Sequence, residues 1–111
     1  MNPKALKYIL DIESIISELE LIKSRVENNF NLFQKDFIIK RASERDLEII
    51  GEAINKLIKL EPTINISGTK NIIGLRNLII HSYDSVEDEI IWGIIQKDIP
   101  ILKAEIEQLK K

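Results

Sequence analysis

The chain has 111 residues, of which 44% are hydrophobic and 31% are charged, and its net charge is −2. This length and composition predict one globular domain, residues 1–111, with one hydrophobic core. The lack of a basic excess argues against a protein that coats nucleic acid, although an enzyme could still meet RNA in one small basic pocket.

The absence of certain residue types and segments argues against several kinds of site and cellular location. There is no cysteine, so no disulfide framework or thiolate metal site is expected, and one histidine argues against a classical zinc site. Asp11 and Glu13 interrupt the first segment, so it does not read as a signal peptide, and no apolar run approaches the ~20 residues that span a bilayer. We expect a cytoplasmic protein without metal, cofactor or membrane segment.

The first predicted element is a long helix from Pro3 to about Asn28. Asn2 before Pro3 is typical of an N-cap followed by proline in the first turn. Apolar residues recur at steps of three and four, which indicates a helical stripe facing a core. The stripe comprises Ala5, Ile9, Ile12, Ile16, Leu19 and Val26.

A break and a short helical piece are predicted over 28–37, with Phe30, Phe33 and Phe37 as apolar plugs. A second long helix follows from about Asp36 to Leu60. Its stripe comprises Ala42, Leu47, Ile50, Ile54 and Leu57. Gly51 lies inside this helix, where glycine costs roughly 1 kcal/mol relative to alanine. We therefore expect Gly51 to mark a close helix crossing.

The second half of the chain also reads as helical. Residues 61–69 read as a loop, and a third long helix is predicted to start near Thr69. The sequence "SVED" matches a capping box, so a further helix is predicted to start at Ser85, and Pro100 should kink or restart it after Asp98. Because no extended strand alternation occurs, we predict an all-α bundle of four or five helices.

The stretch "LRNLIIHSYDSVEDE" contains the only histidine, His81. On a straight helix His81 lies about 140° around the axis from Arg76, whereas Tyr83 lies only about 20° from it. All three can serve one site if the helix unwinds near His81. The other possibility is a two-fold dimer in which a second copy of the chain completes the site.

These residues could together cleave a phosphodiester. An imidazole at His81 can take a proton from a ribose 2′-hydroxyl or give one to the leaving oxygen, and Arg76 suits the phosphate oxygens. Tyr83 could bind the phosphate or stack on a base. The alternative is packing, with His81 in the core or an interface, Arg76 paired with Glu52 or Asp84, and Tyr83 at the edge of the core. Composition and spacing alone favour packing.

Eight residues, "RNLIIHSY", have the form Arg-Asn-x-x-x-His-x-Tyr and resemble the signature of the HEPN superfamily. They resemble most closely the HepT-like toxins, which pair with minimal nucleotidyltransferase antitoxins. "RDLEIIGEAINKL" (45–57) is similar to the second block of that family and 72–102 to the third, so the resemblance covers about 36–105. It implies a HEPN-type bundle of four to five helices that forms a two-fold dimer around one cleft.

The resemblance also implies an activity. HepT-like toxins are metal-independent endoribonucleases, and the implied function is the toxin of a type VII-like toxin–antitoxin pair that cuts tRNA or mRNA. By position, Arg76 and His81 would be catalytic, with Asn77 and Tyr83 supporting. Tyr83 would also be the site where the partner nucleotidyltransferase adds AMP, which would place bulk and negative charge in the RNA cleft.

Other interpretations remain open. Four cations could form an RNA-binding rim or simply be solvated helix faces: Lys40, Arg41, Arg45 and Lys70. The whole chain could instead be a non-catalytic helical subunit that binds nucleotide or presents substrate to a nucleotidyltransferase, or its motif could only lock a dimer. The joint presence of Arg76, Asn77, His81 and Tyr83 favours the ribonuclease, because a docking module needs no acid/base group.

Overall fold

The computed structural model of the chain describes residues 2–67, 69–81 and 87–111, and these residues are helical apart from short connections. The helices are α1 (Pro3–Arg25), α2 (Phe30–Lys35), α3 (Phe37–Leu60), α4 (Thr69–His81), α5 (Asp88–Gly93) and α6 (Ile99–Leu109), with a π-helical segment, Ile94–Asp98, between the last two. No strand occurs in these ranges. The predicted all-α class is confirmed.

The helix starts follow from local capping chemistry. The Asn2 side chain accepts a hydrogen bond from the Lys4 amide at 2.8 Å, and Asp36 caps α3 by accepting from the Ile39 amide at 3.1 Å. Each bond satisfies an amide that has no partner inside the helix. The predicted cap at Asn2 is therefore confirmed.

The last helical run, over 88–109, is continuous but contains one wide turn. Proline at position 100 has no amide hydrogen, and its ring would crowd the preceding turn of a regular helix. The chain responds with the π-helical segment, in which the Ile99 amide donates to the Ile94 carbonyl. The predicted restart after Asp98 is thus confirmed. Glu87 is not helical, with a ψ of 135°, so α5 begins later than the predicted start at Ser85. Ser85 itself lies outside the described residues.

The helices form a four-membered bundle around a core rich in isoleucine and leucine. α3 packs against α1 on one side and α4 on the other, while the 88–109 run closes the bundle against both α1 and α4. Trp92 packs against Phe33, with ring centroids 4.9 Å apart, as expected for a packing residue. Phe37 is 70% exposed, so its prediction as a plug is wrong. No helix in the described ranges is both long and apolar enough to cross a membrane.

The first turns of α3 bury polar residues instead of the predicted alanine. Ala42 is exposed, whereas Ser43 and Asp46 are buried. The Ser43 hydroxyl donates to the Ile39 carbonyl at 2.8 Å. Asp46 lies against Glu18 of α1. Burial and, to a lesser extent per contribution, the neighbouring Glu18 carboxyl together raise the pKa of Asp46 to about 7, and Arg45 opposes the shift. α3 thus buries a protonatable carboxyl group beside the exposed Glu18.

Candidate functional site

The crossing of α3 and α4 places Arg76 directly over Gly51. A β-carbon added at Gly51 would lie 2.8 Å from the Arg76 β-carbon and 3.2 Å from its γ-carbon. Only a residue without a side chain allows α4 to approach this closely. The predicted close crossing at Gly51 is confirmed, and it fixes the root of the Arg76 side chain against α3.

Two neighbours hold the Arg76 guanidinium. One terminal nitrogen, Nη2, donates to Glu52 Oε2, and the other, Nη1, donates to Asn77 Oδ1 at 3.0 Å. Lys56 Nζ lies 3.6 Å from the other oxygen of Glu52, so that one carboxylate serves two cations. Nε is buried and has no partner among the described residues. The pairing of Arg76 with Glu52 is the contact that the packing interpretation anticipates.

This arrangement leaves the guanidinium able to bind an anion. Each terminal nitrogen has two N–H groups, and the contacts with Glu52 and Asn77 use one on each. The remaining N–H groups can donate to the oxygens of a phosphate. Arg76 is 24% exposed, so the ligand could reach it from solvent.

The other two motif residues are described less fully. α4 remains helical through His81, of which the description covers the backbone, and Tyr83 lies outside the described residues. Because the helix does not unwind before position 81, Arg76 and His81 stay about 140° apart around the axis of α4.

Arg76 lies at the edge of a cleft of about 410 Å³ between α1 and α3. From α3, Arg45, Ile49, Glu52 and Lys56 face the cleft at steps of four, three and four residues, which is one face of a helix. From α1 the cleft is lined by Lys7, Tyr8, Asp11, Ser14 and Ile15. The cleft thus combines an apolar floor with charged edges.

The four predicted rim cations do not converge. Arg45 alone lines the Arg76 cleft, and it also pairs with Glu48 at 3.2 Å. Lys40 and Arg41 border a separate depression beside the start of α5. Lys70 is exposed in a groove between α4 and the 88–109 run. One common rim containing all four residues is therefore not observed in the single chain.

Two cleft residues had no assigned role in the sequence motif. Lys56 belongs to the α3 face that includes Arg45 and Glu52, so helical spacing could have indicated it. Tyr8 is on α1, far from the motif in sequence, and only the packing of α1 on α3 brings it to the cleft. No local pattern around Tyr8 signals that position.

Comparison with known proteins agrees with this architecture. A protein of Caldanaerobacter subterraneus named as a putative RNase is 38% identical over 100 residues, covering 88% of this chain and 89% of the relative. A Thermococcus cleftensis protein named probable ribonuclease HepT is 32% identical over 108 residues, covering 90% of this chain and 93% of the relative.

A further relative comes from Methanocaldococcus jannaschii. It is also named as a putative RNase and is 36% identical over 91 residues, covering 79% of this chain and 82% of the relative. No solved structure matches the chain. The family model described as "Ribonuclease HepT-like" matches residues 15–109, which includes all of α2 to α6. The chain therefore belongs to the HepT-like ribonuclease family.

Proposed function

We propose that this chain, as one domain over residues 1–111, is a metal-independent endoribonuclease and the toxin of a type VII-like toxin–antitoxin pair in the cytoplasm. One observation supports this above the others: in a HepT-like chain, Glu52 and Asn77 hold the Arg76 guanidinium at the edge of a cleft with N–H groups left for an anion. A purely structural ion pair would not need that second contact with Asn77.

The proposed reaction uses two groups. The 2′-oxygen of a ribose attacks the adjacent phosphorus, and the bond from phosphorus to the 5′-oxygen of the next nucleotide breaks. His81 takes the proton from the 2′-hydroxyl or gives one to the leaving oxygen, because imidazole exchanges protons near neutral pH. Arg76 stabilises the negative charge that builds on the phosphate oxygens. Asn77 orients Arg76 and is a positioning residue.

We propose that the chain acts as a two-fold dimer, as the motif implies. Because α4 stays helical through His81, the two positions remain on different sides of one helix. The outer side of α4 has an open groove of about 440 Å³ against the 88–109 run. Leu78 and Ile90 line it and are 52% and 43% exposed. A second copy of the chain, packed two-fold on this groove, would cover both side chains.

The partner that silences the toxin is proposed to be a minimal nucleotidyltransferase antitoxin. It would add AMP to Tyr83, two residues beyond the end of α4. The added AMP would place bulk and negative charge in the RNA cleft. This part of the proposal rests on the Arg-Asn-x-x-x-His-x-Tyr motif.

The alternative is a non-catalytic subunit that binds nucleotide or presents substrate to a nucleotidyltransferase. The observation in its favour is the ion pair between Arg76 and Glu52, which in the unbound chain already neutralises much of the arginine charge. An RNA phosphate would then have to compete with a carboxylate. Activity measurements decide between the two functions.

The decisive experiment incubates the purified protein with tRNA and mRNA in excess EDTA. We expect wild-type protein to cleave RNA, while His81→Ala and Arg76→Ala lower the rate at least about a hundredfold, because each removes a group acting in the transition state. Arg41→Ala is the matched control, since Arg41 is an exposed cation outside the cleft. Absence of cleavage by wild type, or equal cleavage by the two motif variants, would remove the ribonuclease proposal.

Modification is tested separately by intact mass after co-expression with the adjacent nucleotidyltransferase. A mass increase equal to one or more AMP groups is expected in wild type and not in Tyr83→Phe. If the increase persists in Tyr83→Phe, the modified residue lies elsewhere.

A further inference from the structure

We propose that the cleft between α1 and α3 binds the base of the nucleotide next to the cleaved phosphate, and that Tyr8 stacks on that base. The inference rests on the proposed ribonuclease function and adds a substrate subsite to it. Arg76 and Tyr8 line the same cleft, so a ligand bound to one lies close to the other.

The position of Tyr8 follows from the packing of α1 on α3. The two helices pack against each other, and α2 lies in the connection between them. The cleft pairs early residues of α1 with later residues of α3, as antiparallel neighbours would. Glu18 of α1 contacts Asp46 of α3, which sets the register of the two helices. Tyr8 lies ten residues before Glu18, and Lys56 lies ten residues after Asp46. Tyr8 is therefore level with Lys56, about 6 Å along α3 beyond Glu52.

The chemistry of the cleft suits an uncharged planar group. Asp11 pairs with Lys7 at 3.0 Å, and Glu48 pairs with Arg45 at 3.2 Å, so the carboxylates along its edges are neutralised within the cleft. The floor includes the apolar Ile15 and Ile49. Walls of this kind favour a nucleobase over a second phosphate, which would need unpaired cations.

Tyr8 itself is half-buried, so its ring is held while part of it faces the cleft. Lys7 Nζ lies 5.8 Å from the centre of this ring, and the Lys7 side chain is 70% exposed. A base that stacks on Tyr8 would displace this ammonium, at small cost because the lysine is solvated and flexible. Lys7 would then be free to contact the RNA backbone.

The test separates base binding from cleavage by using the His81→Ala background. The probe is a random-sequence decaribonucleotide that contains 5-iodouridine, cross-linked by ultraviolet light and mapped by peptide mass spectrometry. We expect the cross-link at Tyr8. It should be lost in His81→Ala/Tyr8→Ala and retained in His81→Ala/Leu10→Ala, where Leu10 is an exposed α1 residue outside the cleft.

Kinetics with a cleaved oligoribonucleotide give the second measurement. Tyr8→Ala should raise KM about tenfold, which equals ~1.4 kcal/mol, with little change in kcat, and Tyr8→Phe should stay within about twofold of wild type because it keeps the ring. Cross-links that map outside the cleft, or an unchanged KM in Tyr8→Ala, would overturn the subsite. If wild type cleaves no RNA, the ribonuclease proposal fails, and the cross-link alone decides the subsite.

Discussion

The two sides of α3 differ in the kind of residue that each presents to the neighbouring helix. Toward α1 the helix packs with bulky aliphatic side chains, and it encloses Asp46 against Glu18. Toward α4 it presents Gly51, which lets the Arg76 β-carbon approach, and then Glu52, which binds the guanidinium. The buried apolar contacts with α1 give stability, whereas the crossing with α4 fixes the position of one charged group at the edge of the cleft. Substitutions on the two sides should therefore affect different measurements.

The largest effect is expected on the α1 side. Ile12 of α1 is fully buried, so Ile12→Ala removes apolar contacts and leaves a cavity. The free energy of unfolding should fall by about 3 kcal/mol. Urea unfolding followed by circular dichroism measures this loss, and Leu10→Ala is the control because Leu10 is 46% exposed. RNA cleavage per folded molecule should be unchanged; a loss of activity in folded Ile12→Ala protein would contradict the division between the two sides.

The second prediction uses the buried Asp46 carboxyl. The pKa of Asp46 is about 7 in the folded protein against 3.8 in an unperturbed chain, so the folded state retains its proton over a range where the unfolded state has lost it. The stabilising contribution of Asp46 is therefore complete below pH ~4 and is lost as the pH rises through ~7. Asp46→Asn does not titrate and should be more stable than wild type by a few kcal/mol at pH 8.

Unfolding in urea at pH 4.5 and pH 8 tests this prediction. The stability difference between Asp46→Asn and wild type should be small at the lower pH and large at the higher. Glu18→Gln should shift stability in the same direction by a smaller amount, because Glu18 raises the pKa of Asp46 less than burial does. A difference that is independent of pH would show that Asp46 is not protonated in the folded protein.

The third prediction concerns the close crossing on the α4 side. In Gly51→Ala the new β-carbon would lie 2.8 Å from the β-carbon of Arg76, so α4 must move. The overlap costs about 1–3 kcal/mol, and the gain in helix propensity offsets about 1 kcal/mol of it, so the free energy of unfolding should fall by about 0–2 kcal/mol. Cleavage of RNA should nevertheless fall about tenfold or more, since the guanidinium moves with the helix.

Gly74→Ala provides the stability control for this crossing. An added β-carbon there meets no atom within 4 Å, so helix propensity alone should raise the free energy of unfolding, by about 1 kcal/mol. If Gly51→Ala gains the same stability as Gly74→Ala and keeps full activity, the crossing does not position Arg76.

Much of the fold could be predicted because it depends on local chemistry. The cap at Asn2 depends on one side-chain oxygen, and the π-helical segment before Pro100 depends on a residue that has no amide hydrogen. The close crossing at Gly51 depends on a residue that has no side chain. The predictions for Phe37 and Ala42 were wrong for a common reason. At the start of α3, the neighbours that decide which residues are buried come from distant parts of the chain, and the local pattern does not contain them.

The candidate site was predictable only in part. The motif named Arg76, with Glu52 or Asp84 as its possible partner in packing, and the structure shows the contact with Glu52. The catalytic roles of Arg76 and His81 and the modification of Tyr83 stay predictions. Tyr8 could not be predicted as a cleft residue, because its position depends on how α1 lies across α3.

The smallest expected effect distinguishes two matched arginines on α3. Arg41 and Arg45 are each 66% exposed, and each pairs with a glutamate three residues later. Only Arg45 lines the Arg76 cleft, whereas Arg41 borders the depression near the acidic start of α5. If the cleft binds RNA, Arg45→Ala should weaken binding about threefold and lower the salt slope of log K, because it removes one cation from the edge of the cleft.

Fluorescence anisotropy of a labelled oligoribonucleotide at several salt concentrations, in the His81→Ala background, measures both quantities. Arg41→Ala removes the same charge and a similar surface ion pair, which contributes little to stability. Net charge is thus identical in the two variants, and any difference between them reports position. Equal weakening would mean that RNA senses only the overall charge of α3. A larger effect at Arg41 would instead place the RNA beside α5 and away from Arg76.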